Sequence, residues 1–418
     1  MRRTFALLAC FAGLTACDSH TELLAPAEAG TALLSGTIPG RYIVTLSDDV
    51  DPLPVALQYG ITPDYVYESV LTGFAGDISD VALQALRQDT RVVRIEADGV
   101  TTAYATQTPA TWGLDRIDQR ALPLNNSYTY NSTGQGVTAY IVDTGIRYDH
   151  AEFGGRASFG FDAMADSATM RGGDCNGHGT HVAGTVGGAT YGVAKNVSLV
   201  AVRVLDCAGS GSFSGIIAGM DWIATHGQLP AVANMSIGSL VPQRSPTVDQ
   251  ATSNLIAAGV TLSLAAGNGI PNGGVGVDAC NNSPGGHPDA ITVGATGKTD
   301  AKTVWSNYGD CVTLFAPGAS IVSADYASAT GSSTKSGTSM AAPHVAGAAA
   351  LYLELAPAAS PLTVRAAMSA AATQGVVTTS LSTNNHLLYS LIPGPVVQTN
   401  ETGTTPCTPK NKRKGTCK

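Results

Sequence analysis

Gly337-Thr338-Ser339-Met340-Ala341-Ala342-Pro343-His344-Val345-Ala346-Gly347 is the stretch on which the reading of this chain turns. A serine stands where a glycine-rich loop gives way to small apolar residues, and Ala348 to Leu355 continue them as a buried helix. Ser339 is thereby placed at a helix N-terminus, where unpaired N–H groups and the positive end of the macrodipole favour a developing negative charge. Pro343 is tolerated so near the start, where a missing N–H costs little. A serine at a helix start is most often only a cap, so its meaning depends on its partners.

Working outward, three further stretches supply them. Val137-Thr138-Ala139-Tyr140-Ile141-Val142-Asp143-Thr144-Gly145 is an apolar strand ending in an acid and a turn. Asn176-Gly177-His178-Gly179-Thr180-His181-Val182-Ala183-Gly184 carries a glycine-flanked histidine into a helix of small residues. Leu262-Ser263-Leu264-Ala265-Ala266-Gly267-Asn268-Gly269 is a strand that ends in an asparagine. Acid, base and nucleophile follow in the order Asp143, His178, Ser339. No G-x-S-x-G elbow, the mark of the serine-first order, occurs. Singly, each residue has an ordinary reading as turn acid, helix-start histidine, cap or turn asparagine. Jointly Asp143, His178 and Ser339 point to acyl transfer: an imidazole titrating near neutrality takes the hydroxyl proton, and the carboxylate holds the useful tautomer. His178 and His181, three apart, suggest a metal pair, but no third ligand motif accompanies them.

In these motifs the chain resembles the subtilisin-like serine proteases (subtilases), most similar to the proteinase K branch and within it to the aqualysin type. The resemblance runs from about Arg41 to Leu391. It implies an α/β catalytic domain with a three-layer parallel sheet, preceded by a small ferredoxin-like α+β propeptide. By the same resemblance Asp143, His178 and Ser339 are the triad, Asn268 is the oxyanion donor, and His181 is structural. Substrate is expected as an added β-strand between Gly209-Ser210-Gly211 and Ser236-Ile237-Gly238, with Leu264-Ala265-Ala266 lining an S1 pocket for apolar or aromatic side chains. Asp115, Asp118, Gln119, Asn125 and Ser127 match a structural calcium loop of hard oxygen donors. A second calcium site would use carbonyls near Pro288 and Ala290 with an aspartate, where this chain has Thr313. No catalytic metal is implied. Cys175 is expected to pair with Cys207 and Cys280 with Cys311, each closing a loop of about 30 residues.

At 418 residues the chain has room for more than one domain, and 44% hydrophobic with 13% charged residues describes a globular chain with an ample core. A net charge of −8 and 6% aromatic residues argue against nucleic acid as a partner. Residues 1–17 read as an export signal, with Arg2 and Arg3 before an apolar run too short to span permanently. Leu14-Thr15-Ala16-Cys17 resembles a bacterial lipobox, implying lipidation of Cys17; an ordinary secretory signal cut nearby is the alternative. Six cysteines then remain, an even number in an exported chain, with Cys407 and Cys417 as a local pair in the tail.

Residues 18–39 read as a tether. Residues 40–104 give strands at Arg41–Leu46, 65–69, 73–78 and 92–96 and helices at 55–59 and 81–88, a βαββαβ order. The resemblance makes this an inhibitory propeptide occupying the cleft of its own enzyme. Thr101 to Pro109 is polar and unpatterned, as an exposed processing linker, and the resemblance implies cleavage between Tyr104 and Ala105. Residues 105–393 form the peptidase domain, with strand candidates at 137–142, 198–205, 232–236, 260–266 and 290–295 and helices at 214–226 and 247–257. Residues 394–418 are a linker and basic tail.

The expectation is therefore a secreted, self-processed serine endopeptidase of broad specificity, monomeric, acting on proteins and peptides. Its precursor would touch the membrane only through a lipid on Cys17. A non-catalytic lipoprotein that kept the fold and an esterase sharing the triad are the rival readings.

Overall fold

A computed structural model describes residues 37–99, 104–164, 171–239 and 241–394. The signal, the lipobox with Cys17, most of the tether, and the tail with Cys407 and Cys417 lie outside the described residues.

The first unit is built from β1 (Thr37–Leu46), α1 (Pro52–Gln58), β2 (Tyr65–Tyr67), β3 (Gly73–Asp77), α2 (Asp80–Leu86) and β4 (Val92–Gly99). Its antiparallel sheet has the order β2-β3-β1-β4, the split arrangement expected of βαββαβ. Asp51 and Ser79 cap the two helices. Alternation aims Val44, Leu46, Phe74 and Ile95 at the helices, where they pack with Val55, Leu83 and Leu86.

The second unit begins with β5 (Ala105–Gln107), which pairs antiparallel with β6 (Tyr128–Tyr130) around α3 (Trp112–Ile117). Residues 105–107 are thus a strand rather than the unpatterned linker expected there. Tyr104, just before them, is exposed. The strands β7 (Thr138–Asp143), β8 (Ala157–Asp162), β9 (Ser198–Arg203), β10 (Ala231–Met235), β11 (Val260–Ala265), β12 (Ile291–Thr296) and β13 (Leu314–Pro317) form a parallel sheet. A β14–β15 hairpin (Ile321–Ala324, Ser332–Lys335) follows, and β16 (Thr373–Gln374) and β17 (His386–Leu387) close one edge. The order β16-β17-β13-β12-β11-β10-β7-β9-β8 reverses direction between β7 and β10. In open α/β sheets such a switch point opens a crevice at the carboxyl ends of the strands.

Helices cover both faces. On one lie α4 (His178–Gly187), α7 (Thr338–Leu355) and α8 (Pro361–Ala371), on the other α5 (Phe213–His226) and α6 (Pro246–Ala257). Residues 338 to 353 of α7 are all buried, as an all-round apolar helix must be. Its small residues let neighbours approach closely: a Cβ on Gly347 would meet Val193 Cβ at 2.6 Å.

Pro343 costs more than the sequence suggests, because it removes the N–H that the Ser339 carbonyl would accept one turn on. The Ser236 hydroxyl, 2.8 Å away at the end of β10, donates to that carbonyl instead. Cys175–Cys207 and Cys280–Cys311 are both disulfide-bonded.

Candidate active site

Asp143 is the last residue of β7, and His178 is the first of α4. The chain meets itself there because Asp174 organises the turn before α4. Its carboxylate accepts from the Asn176, Gly177 and Thr180 amides and from the Thr144 and Thr180 hydroxyls. Thr144 in turn accepts from the Gly179 amide at 2.9 Å, binding the end of β7 to the start of α4. Gly177 sits at φ +93°, and a Cβ there would fall 2.3 Å from the Tyr326 ring. Only glycine fits that turn.

The result is a close pair. His178 Nδ1 lies 2.8 and 3.0 Å from the two Asp143 oxygens, and the carboxylate is fully buried with the Thr144 amide donating to Oδ1 at 2.7 Å. Burial by itself would lower the His178 pKa; the charge and hydrogen bond of Asp143 outweigh it, and the net shift is upward. His181 and His344 move the other way. Burial pushes them down to about 3 and about 4, and one nitrogen of each ring bonds a carbonyl, His181 Nε2 that of Ile321 and His344 Nδ1 that of Met340. They stay neutral near pH 7 and serve packing, as expected for His181.

Ser339 lies at the start of α7, nearly buried, where its own N–H has no intrahelical acceptor. Its hydroxyl donates to the Ser236 carbonyl at 3.3 Å. No hydrogen bond joins it to His178 among the described residues, so the contact expected between nucleophile and base is not made in this state. Such bonds often tighten only once substrate is bound. Asn268 stands beyond β11 with its side-chain oxygen held by the Thr338 amide at 2.8 Å and the Thr338 hydroxyl at 3.0 Å. That hydroxyl also accepts from the Gly267 amide. Asn268 Nδ2 has no protein acceptor among the described residues and lies 3.5 Å from where a Cβ on Gly337 would stand. Asn307 anchors the same loop, accepting from the Gly269 and Val277 amides and donating to the Ala266 carbonyl.

Around the crevice the expected substrate edges differ in availability. Gly209, Ser210, Gly211 and Gly238 are exposed, whereas Ser236 and Ile237 are buried. The Ser210 N–H is committed to Asp206 Oδ1 at 2.9 Å and its carbonyl accepts from the Asp206 amide. Leu264 packs into the core beneath α5 and α6, so its side chain does not line a pocket as expected; alternation on β11 turns Ala265 to the opposite face.

The end of α3 and the loop after it bring three of the five expected oxygen donors, Asp115, Asn125 and Ser127, into one hydrogen-bonded network, with Asp118 and Gln119 bonded separately. Asp115 accepts from the Asn125 and Asn126 amides, and Asp118 Oδ2 from the Thr129 amide at 2.5 Å. Asn125 Oδ1 accepts from Ser127, while the Gln119 amide nitrogen donates to the Ala121 and Pro123 carbonyls. Asp118 Oδ1 is buried without a partner, and burial raises this carboxyl to about 6. An oxygen-only set with one orphaned carboxylate oxygen fits a hard cation. Among the described residues no three His, Cys, Asp or Glu side chains cluster as a metal site. Where the second site of the resemblance would fall, and where Thr313 in place of an aspartate argues against one, Ala290's carbonyl accepts from Arg365 Nε at 3.1 Å and Thr313 Oγ1 at 3.4 Å.

Sequence reasoning missed Asp174, Thr144, Thr338 and Asn307. Asp174, four residues before His178, has a local signal, an acid at the head of a glycine turn. Asn307 has none; only the fold brings it beside Gly267.

A doubly covered parallel sheet with a half-buried histidine bonded to a buried aspartate and a helix-start serine at its carboxyl end defines a serine hydrolase of the α/β class. The subtilase family model matches residues 134–389, and the chain belongs to that family. It is 49% identical over 391 residues to the extracellular serine proteinase of Thermus sp. (strain Rt41A), covering 87% of this chain and 93% of that one. It is 50% identical to alkaline serine exoprotease A of Vibrio alginolyticus over 80% of this chain, spanning 61% of that relative's length. A crystal structure of a cold adapted subtilisin-like serine proteinase matches with TM-score 0.64 and 50% identity, covering 68% of this chain and all of that one.

Proposed function

We propose that this serine proteinase is an exported endopeptidase that matures by cutting itself and works through Asp143, His178, Ser339 and Asn268. The observation that carries the reading is the His178 ring bonded through Nδ1 to the buried Asp143 carboxylate, which leaves Nε2 free to serve the serine at the head of α7. Ser339 Oγ attacks the scissile carbonyl and gives its proton to His178. Asn268 Nδ2 and the Ser339 N–H receive the oxyanion. His178 returns the proton to the departing amine, and water then repeats the sequence on the acyl-enzyme. Asp143 stays ionised, holding the imidazole and offsetting its charge.

Casein and small-ester hydrolysis measured side by side, with Ser339→Ala as control, test this. Esters turned over without casein would favour the esterase, and no turnover of either the non-catalytic reading.

Small residues along Gly209–Gly211 and at Gly238 support broad main-chain recognition, and kinship with the subtilases supports an apolar or aromatic P1 residue. A peptide library preferring charged P1 residues would contradict this. Tyr104 exposed beside a strand that starts at Ala105 supports maturation between them, with residues 40–104 as the inhibitor. A mature N-terminus elsewhere would refute it. Cleavage there would free the enzyme from any lipid on Cys17, and an extracellular location agrees with the kinship to the extracellular serine proteinase of Thermus. Calcium, where bound, would be held by Asp118 Oδ1 with oxygens of Asp115, Gln119, Asn125 and Ser127. It would neutralise a buried carboxylate and take no part in catalysis.

A further inference from the structure

We propose that Lys335 selects substrates carrying a carboxylate in the first residues beyond the scissile bond, on the leaving-group side. The inference rests on the peptidase reading above. Register and alternation give the geometry. In the β14–β15 hairpin Ile321 faces Lys335 and Ser323 faces Ser333, so these four share one face. That face lies on α4: a Cβ on Gly184 would meet Ser323 Oγ at 2.4 Å, and His181 Nε2 bonds the Ile321 carbonyl at 3.0 Å. Each helical turn towards the start of α4 moves one step along the hairpin, from Ser323 to Ile321. Lys335, opposite Ile321, is level with His181, and one further turn towards the start of α4 reaches His178.

Lys335 is half-buried, and no carboxylate pairs with it among the described residues. Its charge is felt at the site: at His178, Asp143 and Asp174 favour the imidazolium, and Lys335 opposes it. The acyl half of a substrate runs along Gly209–Gly211 and Gly238. The amine half must leave past His178, which protonates it, and therefore past the hairpin. An unpaired ammonium there attracts acidic residues and repels basic ones.

The test is competitive cleavage of paired peptides identical except for Glu or Lys at the first or second position after the cut. The ratio of kcat/KM values cancels any difference in folded fraction. The enzyme is expected to favour the acidic peptide by about two- to fivefold, as for a partly exposed ion pair. The preference should fade as salt is raised, and Lys335→Glu should invert it. An equal ratio in the starting enzyme, or one unchanged by both Lys335→Met and Lys335→Glu, overturns the proposal. If neither peptide is cut and Ser339→Ala behaves identically, it is the peptidase reading that fails.

Discussion

Asn268 owes its usefulness to a neighbour. Thr338 occupies its side-chain oxygen twice, and this leaves the NH2 turned to the crevice. Replacing Asn268 by Ala is expected to lower kcat by about 10²–10³ with little change in KM, a size known from subtilisin, a member of this family. Thr338→Val removes one of the two bonds holding the amide and also the acceptor of the Gly267 N–H, and should cost at least about two- to tenfold in kcat, the worth of one ordinary hydrogen bond. Single-turnover kinetics on a chromogenic peptide measure both. The pH profile belongs to the same scale. Because Asp143 raises His178 above its ordinary 6.5, kcat/KM should fall on the acid side with a midpoint above pH 6.5, where the base becomes protonated. The stabilisation that accompanies this raised pKa runs the opposite way. It is present at low pH and lost as pH rises through the folded value. In Asp143→Asn burial and Lys335 are opposed only by the weaker pull of Asp174, so the midpoint should drop and activity should collapse.

Two elements depend on bonds that cross between them. The first turn of α7 contains a proline that orphans the Ser339 carbonyl, and Ser236 from β10 repairs it. Ser236→Ala should therefore destabilise the protein by about 1–3 kcal/mol in urea unfolding, the cost of a buried acceptor left bare. The loop after α3 is held around Asp115 and Asp118. If it takes calcium, a chelator should lower Tm and Asp118→Asn should abolish that dependence, since a neutral amide replaces the buried charge. A chelator-insensitive Tm would remove calcium from the account.

At the scale of the molecule, the disulfides join distant parts of the chain. Cys175–Cys207 ties the turn before His178 to the loop that carries Gly209, and the Asn176 side chain bonds the Cys207 carbonyl across the same gap. Its removal should loosen substrate binding as well as stability. Cys280–Cys311 closes a span of 31 residues away from the catalytic pair. Replacing both of its cysteines by Ser should cost about 3–4 kcal/mol by chain entropy alone and leave kcat nearly unchanged.

The sequence by itself determined the order of elements, because strand and helix periodicity and their caps are local properties. The βαββαβ unit and the alternating strands and helices were legible residue by residue. It also singled out the proposed catalytic residues, since Asp143, His178, Ser339 and Asn268 each stand at a glycine turn or an element end. Only the tertiary structure decided which groups support them. Thr338 holding Asn268, Asn307 bracing Gly267, and Ser236 repairing Pro343 join residues 38 to 103 positions apart or meet across a packed loop, and no local pattern encodes such meetings. The same reason corrected Leu264. A strand's alternation tells which residues share a face, but whether that face meets core or crevice depends on what packs above it.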